Sequence, residues 1–395
     1  MKAVCFLVAS ILLATPLSWA EEGEWSGNIG LQTRFFAKAP LLEEQDRHNA
    51  SASMDVEYFR YLNDGQQMFV ANAFGRWDLN DDDRSHWDMQ ELYWWGSFDQ
   101  MEVYAGIRKV FWGVTETVHL VDVINQDDRL ENIDGEDKLG QLMVSTLFER
   151  DWGTLEGFIL LGFREAEFNG KESRLRPSLP INEDAATYDA TAEEKHIDFA
   201  LRYSHVIGDI DLGLSYFRGT DRDPIFTINS ENPNEEITLT PHYQLIDQLG
   251  IDIQATKESW LWKFEAISGQ VRNGSGYSAA VGGLEYTWFA LDGASDLGFL
   301  MEYQFDDRDN RYTNNDIALG LRWALNNTQS TEMLLAISSD LDNQTRFLSF
   351  EANHRLSDFW YIESEIRGFS NVDVQEGSYD LRLDDYLQVE IKRYF

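Results

Sequence analysis

Acidic and basic side chains occupy every second position in many short segments of this chain, and they are the residues best placed to do chemistry. In one example, Lys263 and Glu265 alternate with the apolar residues Trp262, Phe264 and Ala266. Alternate side chains of a β-strand point to the same face, so each such segment has a charged face and an apolar face. The charged faces together contain Arg34, Glu57, Glu102, Arg108, Asp198, Arg202, Lys263, Glu265, Glu285, Glu302, Arg322, Glu351, Glu363, Glu365, Arg367, Glu390 and Lys392.

The chemistry of such a surface is electrostatic, because fixed charges of both signs set the field that a nearby ion experiences. We predict that its basic lining consists of Arg34, Arg108, Arg202, Lys263, Arg322 and Arg367. We predict that its acidic lining consists of Glu102, Glu265, Glu302, Glu363 and Glu365. Acids outnumber bases on the charged faces, so we expect a weak preference for cations. Two alternatives stay open: the opposite charges only brace the wall, or they form the solvated outer face of a soluble β-sandwich.

The segment 112–137 differs from the other long connectors because it is too apolar for a free surface loop. Its apolar residues are Val118, Leu120, Val121, Val123 and Ile124. Functional loops of this length are often constrictions or lids, so we expect this one to fold inward and narrow a passage. Its candidate functional side chains are His119, Asp122, Asn125, Asp127 and Arg129. The alternative is a loop that packs on a rim or contacts another subunit.

Sequence signatures of catalysis are missing. The chain has no Gly-x-Ser-x-Gly elbow, no His-Glu-x-x-His motif, no phosphate-binding loop and no dinucleotide fingerprint, and its seven histidines are scattered. We therefore predict that the protein is not an enzyme. A hydrolase whose catalytic side chains meet only in space is the less favoured alternative.

Acidic runs recur in the long connectors, at 81–83, 127–128, 134–137 and 306–307. Hard divalent cations prefer such oxygen ligands, but no run keeps the spacing of a calcium-binding EF-hand loop. We therefore expect no cofactor and no metal site, with solvated acidic loops as the main interpretation. The alternative is Ca²⁺ or Mg²⁺ held at these outer loops.

The elements that must position the charges are β-strands with period-two alternation. The pattern is clearest at 29–35, 54–58, 101–107, 197–203, 260–266, 317–323 and 387–391. Short and long connectors take strict turns between the predicted strands. The short ones lie at 62–65, 97–100, 150–153, 206–209, 256–259, 290–295, 326–329 and 355–358. The long ones lie at 38–47, 79–86, 112–137, 165–193, 219–246, 270–276, 305–314, 339–344 and 370–380.

This count predicts an all-β antiparallel barrel of eighteen strands, with sixteen as the alternative. A further strand candidate, 236–242, breaks the alternation, and we assign it to a long loop. The mature chain has no apolar run of the roughly 20 residues that a spanning helix needs. A membrane protein of this kind must be a closed barrel, because only helices and barrels satisfy their own backbone in lipid. Aromatic residues cluster near the predicted strand ends, at 93–95, 111–112, 288–289, 359–361 and 394–395, which suits a membrane–water boundary.

The last ten residues resemble the C-terminal signature of bacterial outer-membrane barrels, which end in Phe after a row of alternate apolar residues. Phe395, Ile391, Val389 and Leu387 match this signature, whereas Arg393 stands where the family usually has an apolar or aromatic residue. In that family the terminal strand is recognised by the barrel-assembly machinery. The resemblance implies this machinery as a partner and Phe395, Ile391 and Val389 as the assembly signal.

The mature chain as a whole is similar to porins of the larger kind, with sixteen to eighteen strands, although its motifs are not specific. The stretch 106–113, which contains Gly106, Arg108, Trp112 and Gly113, resembles a segment of some porin-like families. The resemblance implies a barrel in the outer membrane of a Gram-negative bacterium. It leaves the solute and the oligomeric state undefined.

The first twenty residues have the features of a secretory signal peptide. Lys2 is basic, residues 3–17 are apolar, and Ser18 to Ala20 form a small-x-small site, so we expect cleavage after Ala20. The mature domain is then 21–395, and it has no thiol, because Cys5 is the only cysteine. The net charge of −37 disfavours nucleic-acid binding, which needs a basic face.

These observations favour an outer-membrane channel through which small hydrophilic or amphiphilic solutes pass passively. The expected partners are those solutes, outer-membrane lipids and lipopolysaccharide. The main rival is a substrate-specific exporter or importer of a polymer or lipid-like compound, closed at rest and favoured by the apolar stretch 118–124. A secreted soluble β-protein and an outer-membrane hydrolase are the remaining alternatives.

Overall fold

The computed structural model describes residues 23–229, 237–272, 274–308 and 314–395. The predicted signal peptide, 1–20, lies outside the described residues. Twenty-one strands occur in the described chain: β1 Glu24–Phe36, β2 His48–Leu62, β3 Gln67–Asp78, β4 Trp87–Phe98, β5 Met101–Arg108, β6 Gln141–Arg150, β7 Gly153–Leu161, β8 Thr187–Tyr188, β9 Ile197–Ile207, β10 Ile210–Thr220, β11 Ile225–Asn229, β12 Thr238–Tyr243, β13 Leu245–Lys257, β14 Trp260–Val271, β15 Gly276–Trp288, β16 Asp296–Asp306, β17 Asn315–Ala324, β18 Glu332–Asp340, β19 Arg346–Arg355, β20 Trp360–Ser370 and β21 Tyr386–Tyr394.

Helix is confined, in the described residues, to three short 3₁₀ turns at Glu183–Ala185, Glu193–Lys195 and Gly377–Leu381. None of the described helices is long and apolar enough to cross a membrane.

Eighteen of the strands form one antiparallel sheet that closes on itself. β1 pairs with β2 on one side and with the C-terminal strand β21 on the other, so the sheet has no free edge. The predicted count of eighteen is confirmed. The predicted exchange of short and long connectors holds from β1 to β14, but it is not kept between β14 and β19, where every connector has four to eight residues. The barrel therefore has a short-connector end, which also holds both ends of the described chain, and a long-connector end.

The segment 236–242 is correctly kept out of the barrel, although part of it is a strand. Residue 236 lies outside the described residues, and Thr238–Tyr243 forms β12. β12 pairs with β11 antiparallel and with β8 in parallel, which makes a three-stranded sheet within the long connectors. A strand that lies within a long connector can therefore belong to a separate small sheet instead of the barrel.

The alternation of the sequence fixes which side chains point outward. Leu31 on β1 lies opposite Ala52 on β2, while its neighbour Gln32 lies opposite Ser51, so the two pairs occupy opposite faces. Leu31 is exposed and Gln32 is buried inside the barrel. The outward faces carry an exposed apolar belt that includes Ile29, Leu31, Leu142, Ile159, Leu161, Ile197, Phe199, Leu201, Leu214, Leu249, Phe264, Met301, Leu319, Leu321, Leu335, Ile337, Ile366, Leu387 and Ile391.

Aromatic rings concentrate at the short-connector end of this belt. Trp25 packs on Tyr58, and Trp260 packs edge-on against Tyr286, with ring centroids 4.6 and 4.7 Å apart. These rings remain partly exposed on the outer surface. Three of the predicted clusters, 288–289, 359–361 and 394–395, lie at this end with exposed rings, whereas Trp112 of the predicted cluster 111–112 is buried.

Candidate pore and its inward-folded loop

The strand register places the predicted lining residues on the inward face of the barrel. Glu265 lies opposite Asp252 and Val281, and Glu302 lies opposite Gly283 and Ala318, all of which face away from the apolar belt. The same register makes the whole predicted set inward-facing: Arg34, Glu102, Arg108, Arg202, Lys263, Glu265, Glu302, Arg322, Glu363, Glu365 and Arg367.

The connector 109–140, called the inward loop below, enters the barrel as predicted. Its apolar residues Trp112, Val121 and Ile124 are buried. They belong to one cluster with inward residues of the wall, namely Met143, Phe158, Leu160, Ala200, Phe217, Ile246, Ile267, Ala279 and Val281. These wall residues lie on β6, β7, β9, β10 and β13 to β15, and we call this side the packed wall. The alternative of a loop on the outer rim is thereby excluded.

Two wall carboxylates hold the backbone of the inward loop. Glu265 Oε1 accepts hydrogen bonds from the backbone N–H groups of Val114 and Thr115, at 2.7 and 3.0 Å, and Oε2 accepts one from Val121. Glu302 in the same way accepts the N–H groups of residues 116 and 117. Both carboxylates are almost completely buried, so their charge depends on these donors for its stabilisation.

Arginines hold the other edge of the loop. Arg76 on β3 donates two hydrogen bonds to the carboxylate of Glu131, at 2.5 and 2.6 Å. Arg84, which comes from the next connector, donates to the carbonyl oxygen of Leu130, and Arg34 donates to that of Glu131. The inward loop is thus fastened by carboxylates at one edge and by guanidinium groups at the other.

The predicted functional side chains of the loop divide into two groups. Asn125 is buried within the loop, where it accepts the Val110 N–H and donates to the carbonyl oxygens of residues 108 and 139. Asp122 is similarly enclosed beside the N–H of Trp112. These two side chains maintain the loop conformation and do not face open space.

The remaining three predicted loop residues form ion pairs. His119 Nε2 lies 2.9 Å from Glu136, and Asp127 lies 2.6 Å from Lys138 Nζ. Arg129 contacts Asp223 of the connector between β10 and β11. Their effect on a solute stays a prediction.

Several predicted lining residues are inside the barrel but covered. Arg34, Lys263, Glu265, Glu302 and Arg367 are buried against the inward loop. They hold the loop in place, so the open-lining role expected for them is corrected to one of loop attachment. The cause is the docked loop itself, which covers these side chains.

A different part of the wall stays open. Leu334, Ala336, Ser349 and Glu351, on β18 and β19, point inward and are half-buried. Arg322 on the neighbouring strand β17 is 44% exposed. We call this side the open wall: the inward residues of β18 and β19 together with Arg322. A second stretch with half-buried inward residues lies on β3 to β5.

The sequence pattern missed the loop acids that border the open wall. Glu116 pairs with Lys263 and with Arg322, each at 2.5 Å, and Asp134 pairs with Arg367 at 2.7 Å. Glu136 pairs with His119 and is exposed. The sequence could have drawn attention to Glu116, because it is the only acid between Trp112 and Val121. It could not have shown the partners of Glu116, because they are about 150 to 200 residues away in sequence.

Burial raises the pKa of the loop acids, and neighbouring arginines reverse the direction at one of them. Burial raises the pKa of Asp122 to about 6, although Lys138 nearby lowers it. Burial, with the negative charge of Glu131, raises the pKa of Asp128 to about 6. Glu131 is also buried, but Arg76 and Arg84 outweigh this and lower its pKa to about 2.

Of the comparisons with known proteins, only the one with solved structures finds matches. No protein-family model and no curated protein matches the chain. Among solved structures, a mutant of Rhodopseudomonas blastica porin is similar over 94% of this chain and 100% of its own, with 11% identity and a TM-score of 0.45. OmpT of Vibrio cholerae is similar over 95% and 100%, with 10% identity and a TM-score of 0.44. A loop-deletion mutant of OmpT has 9% identity and a TM-score of 0.49.

Proposed function

We propose that this closed eighteen-stranded β-barrel, whose strand pairing gives it a porin-like architecture, is a channel in the outer membrane of a Gram-negative bacterium. Small hydrophilic or amphiphilic solutes diffuse through it. The exposed apolar belt, with aromatic rings at its short-connector end, supports the location, because a lipid-facing barrel needs an outward apolar band bordered by aromatic residues. We propose no catalytic role for it.

The observation that carries the channel proposal is the open wall. Inward residues of β18 and β19 would be buried if the inward loop filled the whole interior, yet Glu351 is 43% exposed. Barrels of sixteen or more strands are wide enough to leave an aqueous path beside an inserted loop. The path is bordered by Glu116 and Asp134 of the loop and by Arg322 and Glu351 of the wall, which supports weak cation selection.

Planar-bilayer recordings test this proposal. We expect stepwise conductance from purified, folded protein in salt solution. The barrel should also migrate differently before and after heating in gel electrophoresis, which shows that the sample is folded. A folded barrel that stays silent at all voltages and salt concentrations contradicts an open channel.

A substrate-specific transporter, closed at rest, is the second candidate, and the long-connector end supports it. Arg174 from the connector between β7 and β8 crosses to the connector before β21, where Nε lies 2.7 Å from Asp384. Both side chains are almost fully buried, and Arg174 also stacks over Phe36 at 4.6 Å. If this clamp closes the mouth, Asp384→Asn should raise the conductance of an otherwise silent barrel.

We also propose the assembly machinery and outer-membrane lipids as partners. Val389 and Ile391 lie on the outward face of β21, opposite Thr33 and Leu31, and the N–H of Phe395 donates to the Gly27 carbonyl. Deleting Phe395 should reduce the amount of folded protein in the outer membrane. For Ca²⁺ or Mg²⁺, no group of three or more His, Cys, Asp or Glu in the described chain has a metal-binding arrangement, and the absence of a cofactor stays our proposal.

A further inference from the structure

An apolar patch lies on the inward face of β2 to β4, in the half of the barrel nearer the short connectors. Six side chains form it, in two adjacent rows of three that the strand register defines: Phe59, Val70 and Tyr93, then Tyr61, Met68 and Trp95. Neighbouring strands are about 4.8 Å apart and residues two apart on a strand are about 6.7 Å apart, so the rows cover roughly 10 by 7 Å. We call these six residues the aromatic patch.

The aromatic patch faces the interior without being covered by the inward loop. The apolar cluster beneath the loop includes none of the six residues. Phe59, Tyr93 and Trp95 are half-buried, and Tyr61 is 59% exposed. The interior of a barrel of this width holds an aqueous path, so partly exposed rings on its wall contact the solutes in that path.

Carboxylates border the aromatic patch on two sides. Glu57 and Glu91 lie in the next inward row toward the long connectors. Glu102 lies on β5, where its Oε2 accepts a hydrogen bond from Trp95 Nε1 at 3.0 Å. Among the described residues, none of these three carboxylates forms an ion pair with a Lys, Arg or His side chain. The site therefore combines partly exposed rings with negative charge that has no paired cation.

A cation of the chain already lies over a neighbouring ring. The guanidinium carbon of Arg108 is 3.8 Å from the centroid of the Tyr104 ring, and Tyr104 lies opposite Trp95 on the adjoining strand. Arg108 also pairs with Glu156 at 3.0 Å, so a ring, a cation and a carboxylate meet at this point. In the described part of the chain, no guanidinium or ammonium group lies over Tyr93 or Trp95. Rings and carboxylates are present there, and only the cation is missing.

We propose that the aromatic patch binds organic cations, namely small amines or quaternary ammonium ions that carry an apolar group. The ring faces and the three carboxylates attract the positive charge, and the apolar group covers the rings. A neutral solute uses the rings but gains nothing from the carboxylates. Binding at such a site is weak, as it must be where a solute enters and leaves again. The proposal rests on the proposed function, because it names a class of solute for which the channel has a site.

A ligand-observed NMR titration of the folded barrel in non-ionic detergent tests the site. Benzyltrimethylammonium supplies a ring and a fixed positive charge, whereas benzyl alcohol keeps the ring without the charge. We expect saturable binding of the cation, about tenfold tighter than that of the alcohol, which is the effect of two carboxylates each roughly 6 Å from the ligand in water. Micelles without protein give the background from the detergent.

Trp95→Leu should weaken binding of the cation about fivefold, because Trp is the ring that attracts cations best. Trp94→Leu is the matched control, since its side chain lies on the opposite, outward face of the same strand, beside Phe98. It should leave the affinity unchanged.

Glu57→Gln should weaken binding of the cation about threefold, the effect of one charge roughly 6 Å away in water. Glu258→Gln, which removes an exposed acid from the connector between β13 and β14, is its control and should have no effect. The Glu57 variant changes an exposed side chain, so it keeps the test valid if the Trp95 variant folds poorly.

Three results would overturn the proposal: equal affinity for the cation and the alcohol, equal weakening by the Trp94 and Trp95 variants, or signals no larger than those of empty micelles. A barrel that conducts K⁺ but gives one of these results overturns the site and leaves the channel proposal standing. A folded barrel that binds the cation as expected yet stays silent in bilayers supports the site and contradicts the open channel.

Discussion

The packed wall and the open wall have the same alternating sequence pattern, yet their inward residues differ in solvent exposure. Phe217 and Leu160 on the packed wall are buried, with exposures of 1% and 0%. Leu334 and Glu351 on the open wall point inward in the same way and remain in contact with solvent. Alternation therefore decides only that a side chain faces the interior. An inward residue is buried in the core where the inward loop packs against it, and it lines open space where the loop does not.

The same contrast applies to charge. Glu265 on the packed wall is fully buried and serves as an acceptor for loop N–H groups. Glu351 on the open wall is paired with Arg367 at 2.8 Å but keeps water on one side. A buried carboxylate is stabilised by fixed donors, whereas an exposed one remains free to act on ions in solution.

The largest expected difference between the walls concerns apolar packing. Phe217→Ala should lower the free energy of unfolding by about 3–5 kcal/mol, because it removes a ring from the cluster beneath the inward loop. Leu334→Ala, the matched change on the open wall, should cost less than about 1.5 kcal/mol, since its side chain is only half-buried. Urea unfolding of the barrel in lipid vesicles measures both. Equal losses would show that the two walls are packed alike.

Removing the carboxylate anchor should have the next largest effect. Glu265→Ala leaves the N–H groups of Val114, Thr115 and Val121 without an acceptor, at about 1–3 kcal/mol for each group that stays buried. We expect the loop to detach and the single-channel conductance to increase. Glu363→Ala removes an acid from the open side of the interior, where it pairs with Lys392, and should leave the loop docked. Unchanged conductance in the Glu265 variant would mean that the loop does not limit the path.

The wall could be predicted from sequence, but the contents of the barrel could be predicted only in part. Strand alternation and connector length are local features, so eighteen strands and the inward faces follow from them. The apolar run 118–124 also indicated that this connector turns inward. The partners of the loop could not be read in this way, because Glu116 meets Arg322 and Arg174 meets Asp384 across long stretches of chain.

Buried arginines illustrate the second limit of the pattern. Arg84 and Arg222 lie in acidic connectors, where a sequence reading treats them as solvated. In the structure they are buried and donate to the Leu130 and Ile124 carbonyls of the inward loop. Their role depends on the position of the inward loop. Nothing in the sequence of their own connectors specifies that position.

A smaller effect is expected on ion selectivity. Arg322→Gln removes a half-exposed positive charge beside the proposed path and should raise the cation-to-anion permeability ratio about threefold, the effect of one charge roughly 6 Å from an ion in water. Arg202→Gln is the matched change on the packed wall, where the guanidinium lies over Trp112 and pairs with Asp252. Reversal potentials in a salt gradient measure both variants. A shift of equal size in each would place the path along both walls.

The smallest expected effect is a pH dependence of loop docking. The pKa of Asp122 rises from its ordinary 3.8 to about 6 on burial, so the folded barrel binds this proton more tightly than the unfolded chain does. Between about pH 4 and 6 the stability contributed by protonated Asp122 is therefore lost as the pH increases. Glu131, whose pKa is lowered to about 2, acts in the opposite direction and only below about pH 4.5. Asp122→Asn should therefore flatten the decrease in unfolding free energy from pH 4 to 6, measured by urea titration in vesicles, while the exposed control Asp358→Asn keeps the wild-type slope. A slope that is identical in both variants would mean that Asp122 is already ionised in the docked loop.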